Sequence, residues 1–533
     1  MNRHQQFSLA IASLTMGLWL SGCQSAWQGI RSDWHQRVLR SQFDDRFTEI
    51  SCTAFDVPAR MSEAICGYVT VPELHAQPSG DTIALATVLL PSVGASSTAD
   101  PLVLAGNLGQ STIATMVPWF IEENPAAQLR DRHDILLIEQ RGTQYSKPYL
   151  DCPELVPVKT ELLKTGQLAD PQSRQQLEAP AYQACKDRLE TNGVNFDAYN
   201  TLESATDVVS VLNSLGFQQV NFYGSSYGSL LAQVLMQQSP NRLRSVILDG
   251  TEPATLNSRQ YATQASSYSL RQIFANCLAE PACNQSYSNL DSVFLQLVER
   301  LNESPQTLTV NMGNIPGEIQ VPLNGSMFSI LVQNQLEGSN FAETLPQNLY
   351  GSLNESNYSW LTDAIATEVR SPDAEAMKAS VICAKRNAPA EQNPIIQSFF
   401  QAPFSQLEDP IRADNLAYCD IYNVATLPDS AYTPVDSTIP TLIMNGQYDN
   451  ITPLAFGVLV ANNLPNAYIY NYPRVGHGAL AVSFTSGQPC PGSMVTAFLE
   501  NPNQPPNEAC IQEMMTTVES PPPRVEIASQ LRW

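Results

Sequence analysis

The chain has 533 residues, of which 43% are hydrophobic and 15% are charged, a composition typical of a globular protein with a large buried core. Its 28 basic and 51 acidic residues give a formal net charge of −23 at pH 7. This excess of negative charge repels nucleic acids and anionic lipid surfaces, so we exclude nucleic-acid binding from the candidate functions.

Residues 1–22 predict an export signal, because Arg3 precedes an apolar run at 7–20 that is too short to span a bilayer. The run ends in Leu20-Ser21-Gly22-Cys23, which resembles a bacterial lipobox. We therefore expect Cys23 to be lipid-modified and to anchor an exported chain to a membrane of the cell envelope. An ordinary cleaved signal with an incidental cysteine is the alternative.

The sequence contains 11 cysteines, and setting Cys23 aside leaves an even number, which suits an oxidising compartment. Pairing of neighbours along the chain is the simplest hypothesis: Cys52 with Cys66, Cys152 with Cys185, Cys277 with Cys283, Cys383 with Cys419, and Cys490 with Cys510. A zinc site is the competing interpretation, but no Cys-x2-Cys or Cys/His cluster has the spacing of metal ligands. We predict disulfides and neither a metal nor another cofactor.

A polar tether is predicted at 23–50, and residues 51–252 predict the first part of an α/β fold. Two strands at 67–72 and 82–90 are expected to form an antiparallel hairpin. Short apolar runs follow, alternating with helical patterns such as 201–215, and they are typical of strands buried in a parallel sheet. The runs lie at 101–105, 134–139, 220–223 and 245–250. This alternation predicts a largely parallel sheet.

The alternation stops at residues 253–437, where helical patterns are separated by polar segments. A segment of this length must carry structure of its own, so we predict an inserted, mainly helical lid over the carboxyl edge of the sheet. The sheet pattern returns within 438–515, with strands expected at 440–446 and 467–472. Residues 516–533 are predicted to form an extended tail.

Ser226 lies in the stretch Gly224-Ser225-Ser226-Tyr227-Gly228, between an apolar strand pattern and a helical one. A tight strand-to-helix turn leaves no room for side chains two positions before and two positions after its serine, and glycines occupy both positions. Ser225 does not have glycines at both offsets. We interpret Ser226 as a nucleophile on such an elbow.

A serine hydroxyl needs an imidazole to accept its proton and a carboxylate to orient that imidazole. Where the nucleophile lies on a strand-to-helix elbow of this kind, the catalytic residues follow the chain order serine, acid, histidine. The 5 histidines are His4, His35, His75, His133 and His477. His477 alone follows Ser226, in a Gly-His-Gly turn after a strand, and is therefore the predicted base.

The acid is less constrained by the sequence. Asp449 follows the strand that ends at Gly446, so we expect it at the same sheet edge as Ser226, in the loop directly before the histidine loop. Asp249 ends the preceding strand and is the alternative, since a carboxylate there could instead cap a helix or hold a loop. We favour Asp449 as the catalytic acid.

An oxyanion formed at the serine needs two backbone N–H donors. We expect the first to be the amide of Tyr227, directly after the nucleophile. The second is expected in the glycine-containing loop after the strand at 101–105, from Asn107 with Gly106 beside it. An ordinary turn at the end of a strand is the alternative for these loop glycines.

These segments resemble the prolyl iminopeptidase and tripeptidyl aminopeptidase group of α/β-hydrolases, particularly its secreted members, over about residues 52–510. The likeness depends on Gln140-Arg141-Gly142-Thr143 with Ser146, on the 224–228 and 242–250 stretches, and on the segments around Asp449 and His477. It implies an α/β-hydrolase fold with an inserted lid, and exopeptidase activity that releases residues from peptide N-termini. Acidic lid groups would then hold the ammonium of the substrate.

Two positions depart from that group. Its oxyanion loop usually reads His-Gly-Gly-Pro-Gly or Ala-Gly-Gly-Pro-Gly, whereas this chain has Ala-Gly-Asn-Leu-Gly at 105–109. Secreted relatives often place an aspartate two residues after a lid cysteine, whereas Lys385 follows Cys383 here. Lys385 and its neighbour Arg386 would disfavour an ammonium if they face the pocket. A solvated helix face is the alternative.

Three functions are compatible with these features. The leading hypothesis is a lipid-anchored serine aminopeptidase that trims short peptides. A carboxylesterase on the same serine, acid and histidine is its close rival, so the expected partner is a peptide or a small ester. A catalytically silent binding protein on a hydrolase scaffold is the third, and an intact triad in the expected order argues against it.

Overall fold

The computed structural model describes residues 35–94, 100–121, 125–313, 317–370, 373–388, 393–400 and 417–516. The predicted signal at 1–22, Cys23, the tether up to residue 34 and the tail beyond residue 516 lie outside them. In the ranges described, no helix has both the length and the apolar character needed to cross a membrane.

Nine strands form the central sheet, in the order β1-β2-β3-β5-β4-β6-β7-β10-β11. A separate hairpin pairs β8 with β9. The strands are β1 (Phe47–Ile50), β2 (Ile65–Pro72), β3 (Thr82–Leu90), β4 (Leu102–Ala105), β5 (Ile135–Ile138), β6 (Val220–Ser225), β7 (Leu243–Asp249), β8 (Gln306–Asn311), β9 (Glu318–Leu323), β10 (Thr441–Gly446) and β11 (Ala467–Tyr472).

The strands β5, β4, β6, β7, β10 and β11 are neighbours in the sheet and run parallel to one another. The strands β1, β2 and β3 are antiparallel to their neighbours. The predicted α/β class with a mostly parallel sheet is therefore confirmed, as is the opening hairpin β2–β3. Every residue of β4, β5 and β6 is buried, because helices cover both faces of the sheet. In β4, Leu102 and Leu104 pack into the core on one face and Val103 into the core on the other.

The helices surround this sheet and build the inserted region. They are α1 (Thr112–Met116), α2 (Leu155–Lys164), α3 (Pro171–Thr191), α4 (Thr201–Ser214), α5 (Tyr227–Gln238), α6 (Ala262–Ala279), α7 (Pro281–Ser286), α8 (Leu290–Glu303), α9 (Gly325–Gln335), α10 (Ser339–Glu355), α11 (Thr362–Arg370), α12 (Glu375–Ala384), α13 (Pro394–Phe399), α14 (Ala417–Tyr422), α15 (Leu454–Ala461), α16 (Ala479–Thr485), α17 (Pro489–Glu500) and α18 (Ala509–Thr516).

The tether predicted over 23–50 extends too far, because its last residues form the edge strand β1. Phe47 packs against the core, and its ring stacks edge-on against Phe43 with centroids 4.8 Å apart. Gly67 on β2 leaves the space that the Phe47 ring fills, since an added Cβ there would contact that ring at 2.5 Å. Burial of this aromatic side chain holds the strand to the sheet.

The described residues of the region 253–437 are mainly helical, as predicted, and they also include the β8–β9 hairpin, which the sequence did not predict. Its hydrophobic core includes Leu162 and Leu163 of α2, which lies between β5 and β6 in the chain. A second core joins Leu189 of α3 to Met377 of α12. This inserted region, called the lid below, therefore packs against α2 and α3, which come from a separate insertion between β5 and β6.

Five disulfides join the cysteines that are neighbours along the chain, with Cα–Cα distances between 5.1 and 5.5 Å. They are Cys52–Cys66, Cys152–Cys185, Cys277–Cys283, Cys383–Cys419 and Cys490–Cys510. The fourth ties α12 to α14 within the lid. So many disulfides indicate an exported protein, because cytosolic reductants keep most thiols reduced.

Candidate active site

Ser226 occupies the turn between β6 and α5, with φ 54° and ψ −118°. A non-glycine residue in this backbone region is strained and is found mainly at functional sites. A Cβ on Gly224 would overlap the backbone of Gly228, and a Cβ on Gly228 would overlap the carbonyl oxygen of Ala105 on β4. The two glycines are therefore needed for the turn to pack against the neighbouring strand.

Asp449 and His477 form a buried pair at the carboxyl edge of the sheet. Nδ1 of His477 lies 2.9 Å from Oδ2 of Asp449. The backbone N–H groups of Ile451 and Thr452 donate to Oδ1 at 2.8 Å each, and the Thr452 hydroxyl donates to Oδ2 at 2.8 Å. These donors saturate the carboxylate and fix it against the imidazole.

The pKa values of this pair move in opposite directions. Burial alone would raise the pKa of Asp449, but the charge and hydrogen bond of His477 outweigh burial and hold that pKa below its usual value. Burial alone would lower the pKa of His477, but the Asp449 charge and hydrogen bond raise it to about 9. The carboxylate is thus ionised at neutral pH and stabilises a protonated imidazole.

The imidazole of His477 lies over Gly250, the residue that follows β7. An added Cβ on Gly250 would contact the imidazole at 2.9 Å, so a side chain there would displace the ring. Ser229 Oγ donates to the Ser226 carbonyl oxygen at 2.5 Å and lies 3.3 Å from the Gly250 carbonyl oxygen, which links the elbow to the residue that the ring covers. The structure therefore brings Ser226, Asp449 and His477 to one edge of the sheet.

Asp249 does not bond to the imidazole. Its carboxylate accepts from the Tyr223 hydroxyl at 2.8 Å and from the amides of Ala479 and Leu480 at 2.7 and 2.8 Å. Burial raises its pKa. Asp249 therefore holds the first turn of α16, directly after the histidine loop, and Asp449 is the acid that the structure joins to His477.

The lid fixes the loops that carry the acid and the histidine. The His477 amide donates to the Glu337 carbonyl at 3.0 Å, and the Gly476 amide donates to Ser339 Oγ at 2.9 Å. Asn450, next to the acid, donates to the Gln333 carbonyl at 2.8 Å. The end of α9 and the start of α10 thus clamp both loops.

The predicted oxyanion loop lies against the elbow. The Gly228 amide donates to the Gly106 carbonyl at 3.1 Å. Gln140 Nε2 donates to the carbonyls of Gly106 and Asn107 at 3.1 and 3.3 Å. The Tyr227 amide opens α5 at the same elbow. These bonds fix the loop beside Ser226.

Three further hydrogen bonds hold the end of this loop and the residues that follow it. The carboxylate of Glu139 accepts from Ser111 Oγ at 3.0 Å and from the Ile113 amide at 3.1 Å, at the start of α1. Burial raises the pKa of Glu139 to about 7. From the lid, the Ala374 amide donates to the Gly109 carbonyl at 2.8 Å.

No role was predicted from the sequence for Glu139, Gln140 or Thr452. A carboxylate at the end of an apolar strand was the available signal for Glu139. For Thr452 it was an aspartate three residues earlier, a spacing that commonly places the aspartate oxygen on an amide at i+3. No local pattern indicates Gln140, because its partners lie more than 30 residues away in the chain.

A cavity of about 200 Å³ opens beside Ser226 and Tyr227. Apolar side chains from α5 and α12 line it, together with four charged groups: Glu252, Arg259, Lys385 and Arg386. Lys385 Nζ donates to Glu252 Oε1 and to the Pro253 carbonyl, both at 3.0 Å. Lys385 and Arg386 therefore line the pocket, and both residues are only partly exposed to solvent.

One group of described residues has the spacing of metal ligands: Cys152, Glu154 and Cys185. The two cysteine sulfurs are bonded to each other in a disulfide and cannot act as thiolate ligands. This group lies in the peripheral loop and helix that precede the elbow strand and gives no reason to assign a metal there.

Comparison with known proteins places this site in a family. The α/β hydrolase fold family model matches residues 102–483. Serine protease Hip1 of Mycobacterium tuberculosis is 22% identical over 486 residues, covering 84% of this chain and 87% of its own. Tripeptidyl aminopeptidase of Streptomyces lividans is 26% identical over 188 residues, 34% of each chain. The solved esterase RhEst1 from Rhodococcus sp. ECU1013 is 14% identical, covering 78% of this chain and 95% of its own, with a TM-score of 0.36. The chain therefore belongs to the α/β hydrolase fold family and is a serine hydrolase of that fold.

Proposed function

We propose that this serine hydrolase is an exported aminopeptidase that releases N-terminal residues from short peptides through an acyl-enzyme. The catalytic part of this proposal rests on the buried His477–Asp449 pair, in which Nδ1 and Oδ2 are 2.9 Å apart. The pair lies at the sheet edge where Ser226 occupies a strained elbow. The relatives named as a serine protease and a tripeptidyl aminopeptidase support the peptidase part.

In this proposal Ser226 Oγ attacks the scissile carbonyl carbon while Nε2 of His477 accepts the hydroxyl proton. Asp449, bonded to Nδ1, selects the tautomer and stabilises the imidazolium. The amides of Tyr227 and Asn107, with Gly106 beside them, donate to the oxyanion. His477 then protonates the leaving amine, and water, deprotonated by His477, hydrolyses the ester to Ser226 and releases the acid.

A carboxylesterase is the second candidate, and the charges of the cavity favour it. Lys385 and Arg386 line the pocket, and the ammonium group of Lys385 is hydrogen-bonded to the carboxylate of Glu252. That carboxylate is therefore already paired. A free substrate ammonium would meet these cations, whereas an ester or a blocked peptide carries no such charge.

Labelling and turnover together test the proposal. A fluorophosphonate probe is expected to label the wild-type protein and not S226A, and lack of labelling of folded wild-type protein would favour the silent binding protein. A panel of aminoacyl p-nitroanilides, N-blocked peptides and short-chain esters then separates the two enzymes. Cleavage restricted to blocked peptides or esters would contradict the aminopeptidase.

We also propose that Cys23 anchors the mature enzyme to a membrane, on the basis of the lipobox-like stretch at 20–23. Export of the wild-type chain in a bacterial host with labelled palmitate is expected to give a labelled, membrane-associated protein. C23A should lose both the label and the association. A membrane-free, unlabelled wild-type protein would instead indicate an ordinary cleaved signal.

A further inference from the structure

The cavity beside Ser226 contains more positive than negative charge among the described residues. The positive groups are Arg259, Lys385 and Arg386, and the carboxylate of Glu252 faces them. Glu252 pairs with Lys385 at 3.0 Å, so one positive charge is neutralised within the wall. The guanidinium groups of Arg259 and Arg386 remain.

Arg386 is held in place by backbone oxygens. Its Nη1 donates to the Val424 carbonyl at 3.2 Å and weakly to the Cys383 carbonyl at 3.5 Å. Neither Arg386 nor Arg259 has a carboxylate within ion-pairing distance in the part of the chain that the structure describes. Among the described residues, no carboxylate therefore neutralises either of the two guanidinium groups that line the cavity.

Apolar side chains in the rest of the cavity wall strengthen the interaction of these positive charges with a ligand. Leu108, Leu230, Val381 and Ile382 line the same cavity, so little water competes for a charge placed there. A guanidinium matches the two oxygens of a carboxylate geometrically and binds it with two parallel hydrogen bonds. A volume of about 200 Å³ suits a short chain and not a folded partner.

We infer that this cavity binds the acyl part of the substrate through a carboxylate that Arg259 and Arg386 hold, with a short apolar linker between that carboxylate and the scissile carbonyl. The substrate class is an ester or amide whose acyl group carries an acidic side chain. This inference rests on the proposed function, because it assigns the cavity to the acyl part of the substrate of Ser226.

Two p-nitrophenyl esters of equal length test it: the monoadipate, which carries a terminal carboxylate, and the hexanoate, which does not. Hydrogen bonds to charged groups contribute about 1.5–3 kcal/mol, so we expect wild-type kcat/KM to be roughly ten- to a hundredfold higher for the monoadipate. R259Q and R386Q should each lower the ratio of the two kcat/KM values about tenfold. R132Q, at an exposed arginine that pairs with Glu500, is the matched control and should leave the ratio unchanged.

Equal kcat/KM values for the two esters, or a ratio that survives both substitutions, would overturn the inference while leaving the proposed function intact. Cleavage of neither ester above the rate of S226A would instead contradict the hydrolase. A calorimetric titration with adipate then decides the inference separately. Binding to wild type that weakens about tenfold in R386Q supports it, and equal or absent binding contradicts it.

Discussion

Asp249 is the last residue of β7, Asp449 lies in the loop that follows the neighbouring parallel strand β10, and both carboxylates are fully buried. Asp449 accepts two amides and a hydroxyl and also faces the imidazole of His477. Asp249 accepts a tyrosine hydroxyl and two amides, and no cationic side chain among the described residues forms a hydrogen bond with it. The pKa is lowered at Asp449 and raised at Asp249. Because both carboxylates are equally buried, the hydrogen-bonded imidazole, and not burial, accounts for the opposite directions of the two pKa shifts.

Asp449 and Asp249 also hold His477 in different ways. Asp449 orients the ring through Nδ1, and Asp249 holds the chain just after the ring through the amides of Ala479 and Leu480. Removing either acid should therefore disturb His477, but in different ways. Loss of Asp449 acts on proton transfer, whereas loss of Asp249 acts on the position of the loop.

The largest expected effect is that of D449N. The asparagine keeps the shape of the side chain but removes the charge and presents an amide that favours the wrong tautomer, so we expect kcat to fall roughly 10⁴-fold. The rate of p-nitrophenyl hexanoate hydrolysis and the rate of fluorophosphonate labelling measure it. D249N is the matched variant, and near-normal turnover of D449N beside a folded, inactive D249N would exchange the two roles.

The pH dependence of the wild-type enzyme should show the pairing directly. His477 must be neutral to accept the serine proton, and its pKa is raised to about 9. Between pH 7 and pH 9 we therefore expect kcat/KM to increase roughly 50-fold. In D449N the residual activity should level off at lower pH, because burial then lowers the pKa of the imidazole without the opposing charge. A wild-type profile that is flat above pH 7 would contradict this.

D249N should have a smaller effect on activity and a clear one on stability. The asparagine leaves one of three buried donors without an acceptor, which costs about 1–3 kcal/mol of unfolding free energy. Displacement of the histidine loop should lower kcat about tenfold, a change of about 1.4 kcal/mol in the barrier. Urea unfolding and ester hydrolysis measure the two effects. Unchanged stability would show that the Tyr223, Ala479 and Leu480 contacts contribute little.

The sequence predicted the sheet and the contact between Asp449 and His477 better than the structure of the inserted region. Apolar runs such as 101–105 and 134–139 correspond to β4 and β5 because strands covered on both faces must be apolar throughout. The choice of His477 followed from chain order, and the elbow from the two glycines around Ser226. In each case the physical requirement lies within a few neighbouring residues.

The features that the sequence did not predict depend on contacts between distant parts of the chain. Strand β1 has an intermediate-exposed-exposed-intermediate burial pattern with no apolar alternation, so only its pairing with β2 identifies it. The β8–β9 hairpin buries few residues on β8, where Val310 is the one buried side chain. Leu162 and Leu163 contribute to the lid core from another insertion. Such contacts depend on tertiary packing, which a local pattern cannot contain.

T452V should have the smallest effect, and it tests how much the Thr452 hydroxyl contributes to the orientation and pKa of Asp449. Thr452 Oγ1 lies 2.8 Å from Asp449 Oδ2 and 3.1 Å from His477 Nδ1, and valine removes this hydroxyl with little change in shape. The carboxylate keeps its two amides and the imidazole, so we expect kcat to fall by a factor of about 3–5, close to 1 kcal/mol. The pKa of Asp449 should rise, because a donor to its charged form is lost. Ester hydrolysis by T452V beside D449N measures the difference, and a loss as large as that of D449N would show that the threonine, not the aspartate charge, positions the ring.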